Sequence, residues 1–491
     1  MPDRRAAIAV SGLVLTAVLS LLHLAPAART ARIASWIAVL VFAGTLHLLL
    51  LSLFFFRHER RNRCTEETPG CGCGAGRNAA PEKDENTVLH SGLAKRELAV
   101  ILLFAAAMRL VLVPLSPVLS DDAYRNIWDG RVQAAGVDPY RYPPSAEELS
   151  ALRDNRVWPR INHKEYRTIY PPAAQILSRG IAPIRKITGW RELTAWKVEI
   201  FLCEFLGLVL LGAGLIARRR EGHRALLWWA YSPLAAVEFA GSGHLDGAAV
   251  GMVGAALGLW LLRKRVGAGV CAALAVGIKI IPIAAGAAIP RVRRKEALLG
   301  GALLASLLVV IPYLSAGSDL FETLKEYNRN WEFNGVLHRS LHVDSWVPAV
   351  ENLVSFPASP RRLAPGTPRE KGIARAVASG LVLSAGFLWS LTASNTIFVA
   401  TMTLLLFLLV QPVIYPWYLT HLLPWLCLVR SGSVALFLVL SGLTYEVLLT
   451  EARYGVWRER VGLQRAIVFL FVAAAVGEVL YRRRMRGYVE E

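Results

Sequence analysis

The chain has 491 residues, of which 54% are hydrophobic and only 19% charged, and its formal net charge is +19. The apolar residues come in runs of the ~17–25 residues needed to cross a bilayer, which excludes a soluble multi-domain protein and a disordered or fibrous one. The charge does not point to nucleic acid, because Lys and Arg collect in short clusters beside the apolar runs: Arg57–Arg63, Arg218–Arg224, Arg263–Arg265, Arg291–Lys295 and Arg482–Arg486. Cytoplasmic loops keep such clusters, and an anionic lipid surface is their expected partner.

Arg4 and Arg5 open the first apolar run, 6–24, and Ala25-Pro26-Ala27 has the small residues of a cleavage site. A removed signal peptide is one reading of this segment. A second run, 33–56, follows after a short basic break, so the expectation is a retained transmembrane hairpin over 1–56. Cys64, Cys71 and Cys73 share the Gly-rich segment 57–97. Three thiols without a nearby fourth ligand match no standard zinc spacing, so a reduced cytoplasmic loop is expected there. Cys203, Cys271 and Cys427 lie in apolar runs and read as small buried hydrophobes.

Further apolar spans fall at 98–118, 197–217, 225–241, 246–262, 297–315, 375–392, 395–412, 414–429, 432–449 and 465–481, which makes about 12 transmembrane helices. The segment 266–290 differs: it is interrupted by Gly277, Lys279 and Pro282, and basic clusters flank both of its ends. Two short half-helices that enter and return satisfy the charge rule better than a single crossing. With the N-terminus inside, two long polar loops fall on the extracytoplasmic side, 119–196 and 316–374, and their length marks them as functional segments. The expected organisation is the hairpin 1–56, the cytoplasmic loop 57–97, a core 98–315 carrying the first outer loop, the second outer loop 316–374, and C-terminal helices 375–491. The chain has no Walker-type phosphate loop and no internal repeat.

The first outer loop opens with Ser120-Asp121-Asp122-Ala123-Tyr124-Arg125, followed by Trp128-Asp129-Gly130-Arg131. Two carboxylates where a membrane helix ends read either as a solvated interfacial pair or as a general base at the bilayer surface. Asp138-Pro139-Tyr140, Ile161-Asn162-His163, Tyr166 and Tyr170-Pro171-Pro172 continue the loop. Its aromatics suit a carbohydrate pocket and membrane-interface anchoring equally well. Glu238 and Lys279 lie in apolar segments, where a charge needs a partner or a wet cavity, although a lysine near a helix end can also snorkel. The second outer loop holds Tyr327, Trp331, Asn334, His338, Arg339 and His342. Two histidines four apart can share a metal, but an acceptor-binding surface is the expectation.

The string from Asp121 through Trp128-Asp129-Gly130-Arg131 to Asp138-Pro139-Tyr140, with Tyr170-Pro171-Pro172, resembles the first outer loop of bacterial GT-C glycosyltransferases. The nearest are polyprenyl-phosphomannose-dependent mannosyltransferases. Glu238-Phe239-Ala240-Gly241-Ser242-Gly243-His244-Leu245-Asp246, Trp331-Glu332-Phe333-Asn334 and Tyr415-Pro416-Trp417-Tyr418 add to the likeness, which runs from about 98 to about 430 and leaves out the N-terminal hairpin. The resemblance implies an all-α polytopic GT-C fold in the cell membrane. It also implies a polyprenyl-phosphate sugar as donor, and a glycan or glycolipid acceptor on the outer face. Asp121 and Asp122 are then the candidate bases; relatives carry Asp-Glu here, which favours the first position. Lys279, His244, Asp246, Arg125 and Arg131 are candidates for donor phosphate or sugar. Tyr124, Trp128, Asp129, Tyr170, Trp331, Asn334 and Trp417 are candidates for the acceptor or the loop.

The implied reaction is one displacement at the anomeric carbon with inversion, with no metal or other cofactor. Phosphate is already a good leaving group once Lys or Arg offsets its charge. The rival reading is a transporter or flippase of lipid-linked glycans. It needs buried charge and many helices, but it needs no base at a helix end and would more often show paired repeats.

Overall fold

The computed structural model describes residues 4–66, 85–218, 222–292, 295–347 and 367–490, with side chains over 4–54, 92–218, 222–290, 292, 295–347 and 367–484. Among the described residues the chain is helical, with isolated bridges of Phe333 and Asn334 to Val413 as its β-pairings. Seven helices among the described residues are long and apolar enough to cross a membrane: Arg5–Leu24, Arg29–Phe54, Glu192–Arg218, Lys295–Ala316, Pro368–Thr392, Gly432–Tyr454 and Val461–Arg484. Their outward faces are apolar; Leu299, Leu303, Leu304, Leu307 and Leu308 form one exposed stripe. Such a face is stable only against lipid or another apolar surface, and the chain is a multi-pass membrane protein.

Several expected spans take a different form. The run 225–241 is not one helix: it is broken into Leu227–Ala230, Pro233–Ala235 and a π-helical turn Ala236–Gly241. Pro233 lacks an amide donor, and the Ser232 hydroxyl accepts from the Ala235 amide to start the chain again. The break is tolerated because the segment lies inside the bundle, with every residue from Leu226 to Leu245 buried. Residues Thr396–Val410 form a helix of only 15 residues. The run 414–429 begins at Pro416 and passes through a 3-10 turn at Thr420–Leu422. At ~1.5 Å per residue neither covers a ~30 Å hydrocarbon core alone. The loop expected over 57–97 is helical to Glu66 and again from Glu85, while Cys71 and Cys73 and the side chain of Cys64 lie outside the described residues.

The core is built on small residues. Helix α1 (Glu192–Arg218) and helix α2 (Asp246–Leu261) meet along Gly207, Gly214, Gly251 and Gly258. A Cβ on Gly251 would collide with the Cys203 carbonyl, so only glycine allows backbones this close. Gly207 faces Gly251 and Gly214 faces Gly258, so the two helices run parallel. Helix α3 (Arg265–Ile278) and helix α4 (Lys295–Val310) are parallel as well, because Gly269 faces Leu298 and Ala302 while Gly277 faces Val309. The chain therefore turns back between them. It does so at Lys279, whose backbone is extended (φ −145°, ψ 135°), and returns through the 3-10 segment Ile281–Arg291.

One buried ion pair ties α1 to the broken segment. Arg109 donates to Glu204 at 3.1 and 2.7 Å and to the Ala230 carbonyl at 2.5 Å, and Trp229 Nε1 donates to Glu204 at 3.0 Å. Both charged side chains are 0% exposed. Glu204→Leu leaves the guanidinium buried without its counter-charge, and a loss of about 3–5 kcal/mol is expected. Thermal unfolding in detergent measures it; an unchanged midpoint would mean the pair contributes nothing to the bundle.

Candidate active site

The first outer loop is an ordered structure built around one short helix, Asp122–Ala134. Its own polar side chains fix the loop. Asp129 is buried and accepts from Thr168 Oγ1 (2.6 Å), Gln175 Nε2 (3.1 Å) and Arg125 Nε (3.0 Å). Arg125 also donates to the Tyr166 carbonyl at 3.0 Å. Arg131 pairs with Glu192 (2.6 Å) and Asp154 (2.8 Å), and nine residues after Asp122 it leaves the opposite side of the helix. Tyr124 accepts from Arg160, Trp128 packs on Trp158, and Tyr140 donates to the Tyr170 carbonyl. Asp129, Arg131, Tyr124 and Trp128 thus have partners within the loop, and the structure does not bring Arg131 to the helix start.

Asp122 is different. It is the first residue of this helix, and its amide donates to Ser120 Oγ. Its carboxylate faces a polar cluster assembled from four other segments. The π-turn at 236–241 and the left-handed Gly243 (φ 76°) bring His244 back over Glu238. His244 Nδ1 lies 3.8 Å from Asp122 Oδ2, and its Nε2 lies 3.4 Å from Glu238 Oε2. Asp246, at the start of α2, holds Lys279 Nζ at 3.2 Å on one oxygen and His421 Nε2 at 3.0 Å on the other. Tyr445 donates to Glu238 Oε1 at 2.6 Å. Lys279 also lies over the rings of Tyr418 (4.7 Å) and Tyr170 (5.9 Å), a cation–π arrangement.

The second outer loop and the segment 415–418 together supply the aromatic wall. Phe333 stacks on Tyr415, Tyr415 on Trp417 (4.3 Å, 4°), and Trp417 on His244 (3.9 Å, 19°). Trp331 stacks on Tyr327 and meets His163 and Tyr166 edge-on, joining the two outer loops. Asn334 has a positive φ of 57°, and its side chain donates to the Ile414 carbonyl, so it shapes the strand-like contact with 412–414. His338 has both ring nitrogens engaged, by the Val410 carbonyl and by Asp344, and His342 is exposed.

Exposure separates these groups. Glu238, His244, Asp246 and His421 are 0–2% exposed, whereas the side chain of Asp122 keeps 37% open and Lys279 keeps 16%. Asp121 lies outside the cluster, in the field of Arg160, Arg29 and Glu451; partial burial raises its carboxyl above the ordinary range. Crowding by protein pushes Asp122 up to about 6, against the pull of Lys279 and with a further push from Asp246 and Asp121. A raised carboxyl is ionised only above that value. If Asp122 accepts a proton in the reaction, kcat/KM is expected to fall about tenfold per pH unit below ~6, and Asp122→Asn to abolish that limb; a flat profile down to pH 4.5 would remove Asp122 from proton transfer.

Sequence reasoning singled out Asp122, His244, Asp246, Lys279 and Trp417, and the structure brings them together. It left His421, Tyr418 and Tyr445 without roles. A histidine in an apolar run was a usable signal for His421; an aromatic at a helix end reads as an interface anchor, so Tyr445 gave none.

No curated protein matches the chain. Residues 6–292 match the MptA_B family model, described as alpha-(1->6)-mannopyranosyltransferase, N-terminal domain. The match begins in the N-terminal hairpin, which the motif resemblance had left out, and stops short of the segments 331–334 and 415–418, which had been counted in it. The inclusion of the hairpin has a physical basis: Trp36 packs against Gly241, Tyr231 donates to the Ile8 carbonyl, and Leu40 and Val41 pack against Gly442, so the hairpin is part of the core. The match spans more than half of the 491 residues and coincides with the segment that carries Asp122, Glu238, His244, Asp246 and Lys279; the chain belongs to the MptA_B family of alpha-(1->6)-mannopyranosyltransferases and is a mannosyl-transferring glycosyltransferase of the membrane.

Proposed function

We propose that the protein moves a mannosyl group from a polyprenyl-phosphate carrier to a hydroxyl of a glycan or glycolipid on the extracytoplasmic face of the cell membrane. One observation carries this reading. A carboxylate and an ammonium, Asp122 and Lys279, are the charged members of the cluster that keep open surface, and the carboxylates and imidazoles behind them are buried. An acceptor hydroxyl needs a base, and a departing lipid phosphate needs a positive charge.

Asp122 takes the proton of the acceptor hydroxyl as its oxygen attacks the anomeric carbon. The bond from that carbon to the phosphate oxygen breaks on the opposite face, and the configuration inverts. Lys279 offsets the charge that builds on the phosphate, and Asp246 fixes the ammonium from behind. Arg125, with its guanidinium already donating to Asp129 and Tyr166, orders the loop rather than holding donor. Trp331, His163, Tyr166 and Tyr327 offer ring faces and edges where the two outer loops meet, which suits the C–H faces of an acceptor sugar. With Lys279 in place the displacement requires no metal. The basic clusters of 218–224 and 263–265 support an extracytoplasmic site by keeping the opposite ends of α1 and α2 in the cytoplasm.

The decisive experiment supplies purified protein with a panel of polyprenyl-phosphate sugars and a mannoside acceptor, and reads polyprenyl-phosphate release and the anomeric configuration of the product. Release with polyprenyl-phosphate mannose and an inverted linkage is the expected result. Transfer from a nucleotide sugar alone, or retention of configuration, would overturn the donor or the single displacement respectively.

A further inference from the structure

Two buried polar atoms beside the proposed base are left over. Glu238 Oε2 and His244 Nε2 are each without a hydrogen-bond partner, and they face each other across 3.4 Å. Glu238 is 0% exposed and His244 2%. Leaving two such atoms unsatisfied is costly, and one proton between them satisfies both. The direction of that bond follows from the rest of the ring. A neutral imidazole has one donor nitrogen and one acceptor. The Nδ1 side faces the Asp122 carboxylate at 3.8 Å, where a donor is wanted, so Nε2 is the acceptor. Glu238 Oε2 must then carry the proton, while Oε1 accepts from Tyr445 at 2.6 Å. The stack of His244 on Trp417 at 3.9 Å holds the ring plane.

We propose that Glu238 and His244 form one positioning unit for the base: Tyr445 donates to Glu238, Glu238 donates to His244, and His244 presents Nδ1–H to Asp122. The unit sets the imidazole tautomer and aims the Asp122 carboxylate at the acceptor. The unit requires the 3.8 Å separation to shorten to hydrogen-bond length as the acceptor hydroxyl engages Asp122. This inference rests on reading Asp122 as the base. It concerns two buried residues behind the base, and it makes Glu238 a hydrogen-bond donor rather than a charge.

The experiment compares Glu238→Gln, Glu238→Met, His244→Phe and the Glu238→Met/His244→Phe double variant, with Asp122→Asn beside them, as detergent-purified full-length protein with donor binding measured separately. Glutamine can still donate to Nε2, methionine cannot, and phenylalanine keeps the stack on Trp417 while losing both nitrogens. Glu238→Met and His244→Phe should each lower kcat by ~100-fold, the scale of a misplaced catalytic group, with donor affinity and both KM values unchanged. Glu238→Gln should stay within ~3-fold of wild type, and the double variant should be no worse than either single one. Wild-type kcat in His244→Phe, or a Glu238→Gln as impaired as Glu238→Met, overturns the unit. Losses that multiply in the double variant overturn it too, because they mean two independent structural roles. Should Asp122→Asn keep wild-type turnover, the reading of the base falls instead, whatever the Glu238 variants do.

Discussion

Asparagine in place of Asp122 is expected to lower turnover by ~10²–10⁴-fold, the range that general-base catalysis supplies. The amide has nearly the shape of the carboxylate and cannot take the proton. Donor binding should persist, since the base acts on the acceptor and Lys279 keeps its own partner, Asp246, at 3.2 Å. Asp121→Asn should lose far less, because Asp121 stands outside the cluster in the field of Arg160 and Arg29. The measurement is single-turnover transfer together with donor affinity for each variant, with thermal stability checked in parallel. If Asp121→Asn is the more damaging of the two, the assignment reverses and the first-position preference drawn from relatives holds. Wild-type rates in both would move the base elsewhere, with Asp129, Asp138 and Asp246 the next to test.

The second large effect is expected at Lys279. Its side chain is 16% exposed, and it has one carboxylate partner and two ring faces. Part of the ammonium is therefore left for a phosphate. Lys279→Ala should weaken donor binding by ~30-fold or more, the low end of the about 2–5 kcal/mol that removal of one member of a buried charge contact costs. Lys279→Arg should recover part of this, since the charge stays but the fork differs in reach and geometry. Asp246 will not be stranded in Lys279→Ala, because His421 remains at 3.0 Å on its other oxygen, so a loss of protein is not the expected phenotype. Titration with a polyprenyl phosphate, which lacks the sugar, isolates the phosphate contact. Unchanged affinity there would take Lys279 out of the donor site and leave it as a structural partner of Asp246.

The likeness to a transporter, which also needs buried charge and many helices, is not supported by the family match. The arrangement of the charges also differs from what a transport path requires. Asp122 sits on a loop helix that is pinned by Asp129, Thr168, Gln175 and Arg125, and a group held this way suits chemistry that depends on fixed geometry.

What the sequence determined by itself was local. Apolar runs give a membrane protein because a helix hides its backbone from lipid within one segment. Gly277 and Pro282 around Lys279 announced a break, and the break is there, because breakers act on their own turn. The pair Asp121-Asp122 after an apolar run was legible in the same local way, and Asp122 opens a helix there. The tertiary structure decided the rest. It broke the expected span 225–241 at Pro233, which is possible only because the surrounding helices bury it. It turned Arg131 away to Glu192 and Asp154 and brought Lys279 to Asp246. It also set Asp122 beside His244, and Glu238 beside Tyr445. Those neighbours come from segments far apart in the chain, and no periodicity or propensity records which of them will meet. The glycine faces of α1 and α2 set how closely these helices pack, and that closeness belongs to two segments meeting, not to either one alone.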